Sequence, residues 1–189
     1  MPNHVTLVLV LAAMAGLSAR NVAAQPALVV LVRHAERDTA PAGDPGITTV
    51  GQQRARDLAA VLADTRVSVV VTTQFRRTQA TAAPLLEKTG ARSVVVRTGG
   101  PAAGHADSVA AVVRALPPGE AVLVVGHSNT IPPIIAALGG PRFPDLCDGQ
   151  YSNLFVLVFS GTAQPRLIRS TFGVPDAPDA GACRTMRQP

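Results

Sequence analysis

The sequence is short of the residues that a nucleic-acid-binding surface normally needs. Aromatic residues make up 3% of the 189 residues, tryptophan is missing, and Lys88 is the single lysine. The other basic residues are arginines scattered along the chain, so no basic stripe with interleaved rings is visible. We therefore expect no nucleic-acid partner, and we interpret the formal net charge of +5 as a mild affinity for anions.

Charge is scarce as well, and its scarcity excludes other classes of protein. Only 15% of the residues are charged while 47% are hydrophobic, a balance that argues against intrinsic disorder for most of the chain. No glycine period runs through the sequence, which excludes a collagen-like fibre. The length suits one globular domain.

The first 24 residues have the pattern of a secretory signal. Val5 to Leu17 is apolar or small, and after Arg20 the residues Val22-Ala23-Ala24 offer a plausible cleavage point, although the usual basic residue near the start is missing. An uncleaved anchor is the alternative, but this run is shorter than the roughly 20 residues that a membrane span needs. We predict cleavage after Ala24, export to the periplasm or the exterior without stable membrane insertion, and a domain over residues 25–189.

Export to an oxidising compartment affects how the two cysteines are interpreted. Cys147 and Cys183 form an even pair, which in an oxidising compartment predicts a disulfide. The bridge would close a loop of about 37 residues and would stabilise the fold by about 3–4 kcal/mol on the chain-entropy model. Neither cysteine has a CxxC partner or a histidine at ligand spacing, so a metal site is disfavoured.

Short valine-rich runs alternate with segments of helical periodicity along the mature chain. The predicted strands are Ala27–Arg33, Val67–Thr72, Ser93–Arg97, Ala121–Gly126, Asn153–Phe159 and Arg166–Phe172. The predicted helices are Val50–Ala63, Arg77–Lys88, Asp107–Leu116 and Ile131–Leu138. This order predicts an α/β three-layer sandwich, in which helices flank a mostly parallel sheet with an antiparallel strand at one edge.

Histidines and arginines follow three of these strands at their carboxyl ends, where parallel sheets gather their chemistry. The first strand ends in Arg33-His34, the second leads to Arg77, and the fourth ends at His127. Arginine forks bind phosphoryl oxygens bidentately, and a neutral imidazole can attack phosphorus. Nearby guanidiniums also disfavour protonation of an imidazole and so keep its lone pair free. The pattern predicts a phosphoryl-transfer site.

Four segments resemble, in order, the motifs of the histidine phosphatase superfamily, which contains phosphoglycerate mutases and phosphohistidine phosphatases. They are LVRHAE (residues 31–36), ITTVG (47–51), TQFRRTQATA (73–82) and VGHSN (125–129). The resemblance implies a metal-independent phosphoric monoester hydrolase without a cofactor, acting on small-molecule or protein-borne phosphate esters. It implies that His34 is the phosphorylated nucleophile and that Arg33, Arg77 and His127 form the phosphate pocket.

The glutamate that donates a proton in the mutases has no clear counterpart in this sequence. We predict Asp107 as the proton donor, because it is expected to begin a helix after the loop Thr98–Ala106 and so to reach the mouth of the pocket. Asp107 could equally well serve only as the N-terminal cap of that helix. His105 is the alternative donor. Glu36 and Asp38 also follow the nucleophile, and Glu36 can instead order the loop.

Two other functions compete with this hypothesis. A nucleophile elbow at residues 126–130 is disfavoured, because Thr130 replaces the final glycine and no histidine follows His127 to complete a triad. Without a clear acid, the pocket can also be a module that only binds phosphorylated ligands. Turnover of a simple aryl phosphate without added metal would separate the two. A mutase role is disfavoured because glycolytic intermediates are cytosolic.

Overall fold

The computed structural model describes residues 26–99, 101–161 and 164–178. Within these ranges it has six strands and four helices. In chain order they are β1 (Leu28–Arg33), α1 (Thr49–Val61), β2 (Val67–Thr72), α2 (Arg76–Thr89), β3 (Arg92–Val95), α3 (Ala102–Arg114), β4 (Ala121–Gly126), α4 (Ile131–Ala137), β5 (Asn153–Val158) and β6 (Arg166–Thr171). The predicted signal (residues 1–24) and Cys183 lie outside the described residues.

The six strands form one mixed sheet in the order β3-β2-β4-β1-β5-β6. The four strands β3, β2, β4 and β1 pair in parallel, whereas β5 is antiparallel to both of its neighbours. β6 is an edge strand and pairs antiparallel with β5, as predicted. The predicted α/β fold, with a mostly parallel sheet between helices, is confirmed.

Two elements differ from their predictions. β3 was expected to be a strand buried on both faces, yet it lies at the open edge of the sheet and is largely exposed. α3 begins at Ala102, five residues before Asp107, so the predicted loop over 98–106 and the capping role of Asp107 are both wrong. Two alanines, which favour helix, follow Pro101 at this point, but their small side chains give no apolar periodicity to read.

Alternate residues of the central strands fill two separate cores, one on each face of the sheet. On β1, Val29 and Leu31 face the α3–α4 layer, while Val30 and Val32 face the α1–α2 layer. Because both faces are covered, these strands read as continuous apolar runs. The polar side chains of the predicted phosphoryl-transfer site are therefore confined to the ends of the strands.

The sheet register brings the functional residues to one edge. Arg33 pairs with Gly126 in the β1–β4 register, and the backbone N–H of His34 donates to the Gly126 carbonyl at 2.9 Å. His34 and His127 therefore leave the sheet side by side. Because β5 runs in the opposite direction, its first residue, Asn153, lies at the same edge and brings the segment 147–152 to the site.

Gly51 is where α1 comes close to the segment after His34. A Cβ at this position would lie 2.6 Å from the Glu36 carbonyl oxygen, which is closer than real contacts allow. The Gly51 N–H also donates to Thr48 Oγ1 at 3.1 Å, so that Thr48 caps the N-terminus of α1. Glycine is therefore required here by a close approach between backbones.

We expect Gly51→Ala to lower the free energy of unfolding by about 1–3 kcal/mol, because the new methyl group must displace the Glu36 backbone. The matched control is Gly104→Ala in the first turn of α3, where a Cβ meets nothing within 4 Å. That change should be neutral or should stabilise the protein by up to about 1 kcal/mol. Denaturant unfolding measures both, and equal effects would contradict this account of the α1 contact.

Candidate active site

His34 lies at the centre of the candidate site and is 4% exposed. Its Nδ1 lies 2.8 Å from the Ala35 carbonyl oxygen. Since a carbonyl can only accept, Nδ1 carries the proton of the neutral ring, and the lone pair is on Nε2. Burial, and after it the charges of Arg33, His127 and Arg77, lower the pKa of His34 to about 3 against the smaller opposing effect of the Ala35 hydrogen bond. The imidazole is thus a neutral nucleophile at physiological pH.

His127 stands beside it in an edge-on arrangement, with 5.3 Å between the two ring centroids. Its Nε2 is 3.1 Å from Thr73 Oγ1, and its backbone N–H donates to Thr130 Oγ1 at 2.8 Å. Burial first, then the charges of Arg77, His105 and Arg33, lower the pKa of His127 to about 3. A neutral imidazole carries one N–H and can donate one hydrogen bond to an anion.

Arg33 is a buried guanidinium held by the loop before β5. Its Nη1 donates to the carbonyl oxygens of Cys147 at 2.9 Å, Asp148 at 2.7 Å and Gln150 at 3.3 Å. Its Nε is buried without a hydrogen-bond partner among the described residues. Burial lowers the pKa of Arg33. A buried donor left unsatisfied is costly, and an oxyanion in the pocket would satisfy it.

Arg77 approaches from the first turn of α2. Its guanidinium lies over the Phe75 ring, with Cζ 4.2 Å from the ring centroid, and its Nη1 is 4.0 Å from Asp44 Oδ1. Burial, followed by the charge of Arg37, lowers the pKa of Arg77. The four residues that sequence reasoning places in the phosphate site are brought together. The imidazole centroids are 5.3 Å apart, Arg33 and His34 both lie against the Tyr151 ring, and Arg77 and His127 both lie against the Phe75 ring.

Two further residues at the site were missed from the sequence. The charge of Arg37 lowers the pKa of both Arg33 and Arg77. Its position three residues after His34 was the available signal. Tyr151 lies over Arg33, with 4.1 Å from Cζ to the ring centroid, and 6.3 Å separates its centroid from that of His34. The only signal for Tyr151 in the sequence is that it is the single tyrosine of the chain.

Glu36 is occupied by a structural ion pair. Arg54 Nε donates to both carboxylate oxygens at 2.9 and 3.0 Å, and Arg54 Nη2 donates to Oε1 at 2.7 Å. Arg54 is 3% exposed and also donates to the Phe172 carbonyl at 3.1 Å. This arrangement orders the loop after His34. Asp38 is exposed and accepts from its neighbour Thr39 at 2.7 Å.

The two proton-donor candidates on α3 lie in different surroundings. Asp107 is exposed and shares no hydrogen bond or ion pair with any described residue of the site. His105 is buried, its Nδ1 lies 3.3 Å from the Arg97 carbonyl, and its charge reaches His127. Burial lowers the pKa of His105 below its ordinary value. His105, the alternative donor, is therefore the candidate on α3 whose charge acts on a histidine of the site.

Other predictions concern features around the site. The described residues contain no group of three or more His, Cys, Asp or Glu side chains placed to hold a metal ion. Among the same residues, no helix is long and apolar enough to cross a membrane. Cys147 is buried within the loop that holds Arg33. Its predicted partner Cys183 lies outside the described residues, so the disulfide stays a prediction.

Comparison with protein families agrees with the motifs. The family model of the histidine phosphatase superfamily (branch 1) matches residues 29–99. This segment contains all but the first residue of β1, and α1, β2, α2 and β3, together with the first three of the four motifs and the positions of Arg33, His34 and Arg77. The resemblance to this superfamily is confirmed. No curated protein sequence matches the chain significantly.

Solved structures with the same fold include two phosphatases that hold oxyanions. The protein histidine phosphatase SixA complexed with tungstate is 17% identical, with a TM-score of 0.60 over 76% of this chain and 96% of that one. A mycobacterial glucosyl-3-phosphoglycerate phosphatase with inorganic phosphate is 22% identical, with a TM-score of 0.57 over 80% of this chain and 98% of that one. At these identities the likeness shows the fold.

Proposed function

We propose that this protein is an exported phosphoric monoester hydrolase that works through a phosphohistidine intermediate on His34. The observation that carries the proposal is the hydrogen bond from His34 Nδ1 to the Ala35 carbonyl, which leaves the Nε2 lone pair free among guanidiniums. The superfamily match over residues 29–99 supports the same chemistry. The two solved phosphatases with the same fold also support phosphatase chemistry.

The proposed reaction has two steps. His34 Nε2 bonds to phosphorus while the bond to the ester oxygen breaks, and the leaving oxygen takes up a proton. Water then attacks the phosphohistidine, the P–N bond breaks, and inorganic phosphate leaves. Arg33, Arg77 and His127 bind the phosphoryl oxygens throughout, so the protein contributes positioning and charge stabilisation rather than further covalent chemistry. This scheme needs neither a metal nor a cofactor.

His105 is our proposed source of the proton for the leaving oxygen, in place of Asp107. Its Nδ1–H points to the Arg97 carbonyl, so a protonated ring would present Nε2–H as the donor. The imidazolium population grows as the pH falls through the lowered pKa of His105. The pKa of His34 is lowered to about 3, so His34 stays neutral and nucleophilic at mildly acidic pH. An acidic optimum follows for esters that need protonation.

Export rests on the N-terminal pattern alone. We propose that the chain is cleaved after Ala24 and acts in the periplasm or outside the cell, on small-molecule or protein-borne phosphate esters. We expect N-terminal sequencing of the exported protein to begin at Gln25. A mature chain that still begins at Met1 would contradict cleavage.

The central test is to trap the intermediate. We expect brief incubation with ³²P-labelled aryl phosphate to label the wild-type protein with an acid-labile, base-stable phosphoryl group. His34→Ala should abolish labelling and lower kcat by roughly 10³-fold or more, while circular dichroism stays unchanged. Full activity of His34→Ala, or loss of wild-type activity with a chelator, would refute the scheme. Phosphate binding without turnover would instead favour the non-catalytic module.

The proton donor is tested by comparing leaving groups. At pH 5.5, His105→Asn should lower kcat/KM on glycerol 2-phosphate by about 10²-fold, the usual contribution of a positioned acid. With 4-nitrophenyl phosphate, whose leaving group needs little protonation, the loss should be small. Asp107→Asn is the matched control from the same helix and should change neither value much. If Asp107→Asn shows the selective loss instead, the assignment reverts to Asp107; equal losses in His105→Asn would give His105 a packing role.

A further inference from the structure

Both pocket arginines are stacked on aromatic rings. Arg33 lies over Tyr151 with 4.1 Å from Cζ to the ring centroid, and Arg77 lies over Phe75 with 4.2 Å. The chain has only six aromatic residues, five phenylalanines and one tyrosine, so two of the six at one small site are a notable share. Stacking holds a guanidinium by its face and leaves its N–H edge free for an oxyanion.

The same rings also touch the two imidazoles. The Tyr151 centroid is 6.3 Å from that of His34, and the Phe75 centroid is 5.4 Å from that of His127 in an edge-on arrangement. One ring therefore belongs to the Arg33–His34 side of the pocket and the other to the Arg77–His127 side. A phosphoryl group bound to these four residues would have an aromatic side chain on each side.

The two rings are more exposed to solvent than the phosphate-binding groups. Arg33, His34 and His127 are each less than 8% exposed, whereas Phe75 and Tyr151 are only partly buried. The leaving group of a bound ester must point away from the buried nucleophile, because attack is roughly in line with the departing oxygen. It would thus leave toward solvent, past the exposed parts of the two rings.

Separate hydrogen bonds anchor the backbone of the two aromatic residues. The Tyr151 N–H donates to Asp176 Oδ1 at 3.0 Å, and the next residue, Ser152, bonds both carboxylate oxygens of Asp176. The Phe75 carbonyl accepts from Thr78 Oγ1 at 2.8 Å at the start of α2. Anchored rings can contact a ligand without first losing much conformational freedom.

We propose that Phe75 and Tyr151 form an aromatic clamp for the leaving group, so that the site selects phosphoryl groups carried on a planar aromatic ring. The inference rests on the proposed function and specifies its substrate class. Contacts between a ring and an aromatic side chain are worth about 0.5–1.5 kcal/mol beyond burial, or about 2–12-fold in affinity for each ring.

Binding of two inert analogues tests the clamp independently of turnover. Phenylphosphonate and methylphosphonate carry the same anionic group and differ in the ring, and calorimetry gives both affinities. We expect the wild type to prefer phenylphosphonate, Phe75→Leu and Tyr151→Leu each to lower this preference by about 2–12-fold, and the double variant to remove most of it. The ratio of the two affinities is the readout, because a displaced arginine would weaken the binding of both phosphonates equally.

Phe143→Leu is the matched control. Its ring is also stacked under an arginine, with Arg169 Cζ 4.5 Å from the centroid, but it packs on Phe155 in the core rather than at the site. This variant should keep the wild-type ratio. An unchanged ratio in Phe75→Leu and Tyr151→Leu, or no wild-type preference for phenylphosphonate, would overturn the clamp.

Turnover separates failure of the clamp from failure of the proposed function. Phosphotyrosine and phosphoserine provide an aromatic and an aliphatic ester on the same amino-acid skeleton. We expect each clamp variant to lose more kcat/KM on phosphotyrosine than on phosphoserine, relative to wild type. Equal losses on the two esters would refute the clamp while leaving the phosphatase intact. A wild type that binds phenylphosphonate but hydrolyses neither ester would refute the phosphatase and keep the clamp.

Discussion

The parallel pairing of β1 with β4 is the constraint on which the site depends. Arg33 lies opposite Gly126 in the register, and the His34 N–H donates to the Gly126 carbonyl at 2.9 Å. A slip of one residue would turn Arg33 to the other face of the sheet and separate the two histidines. Gly126 itself has no room for a side chain, since a Cβ would lie 2.8 Å from Thr130 Oγ1. Register and close packing together fix the distance between the two imidazoles.

Charge at this edge is unevenly balanced. The charge of Arg37 lowers the pKa of both Arg33 and Arg77, while the side-chain contacts of these two arginines with carboxylates, to Asp148 and Asp44, are 3.9 and 4.0 Å long. Two neutral imidazoles complete the pocket. A surface that gathers like charges without close counterions gains most from a dianionic ligand. The fold therefore stores repulsion that a phosphoryl group relieves.

The part of the site that follows from strand pairing could be predicted from the sequence. Arg33, His34 and His127 stand directly at strand ends, so their meeting could be predicted once the parallel sheet was recognised. Tyr151 could not, because it enters from an irregular loop more than 100 residues away whose path no periodicity encodes. The predicted start of α3 at Asp107 is wrong for a related reason. α3 starts on small alanines rather than an amphipathic pattern, and a helix that begins five residues earlier turns His105, not Asp107, into the interior.

The way in which Arg33 is held has a consequence for the order of biosynthesis. Its three carbonyl acceptors come 114 to 117 residues later in the chain. A ribosome that has released β1, β2 and β4 has therefore delivered both histidines and both stacked arginines, but not the loop that orients the first of these arginines or the tyrosine that covers it. Nascent chains ending before residue 147 carry the reactive groups without any of these acceptors. Competence to bind phosphate thus arrives late, with the last quarter of the polypeptide.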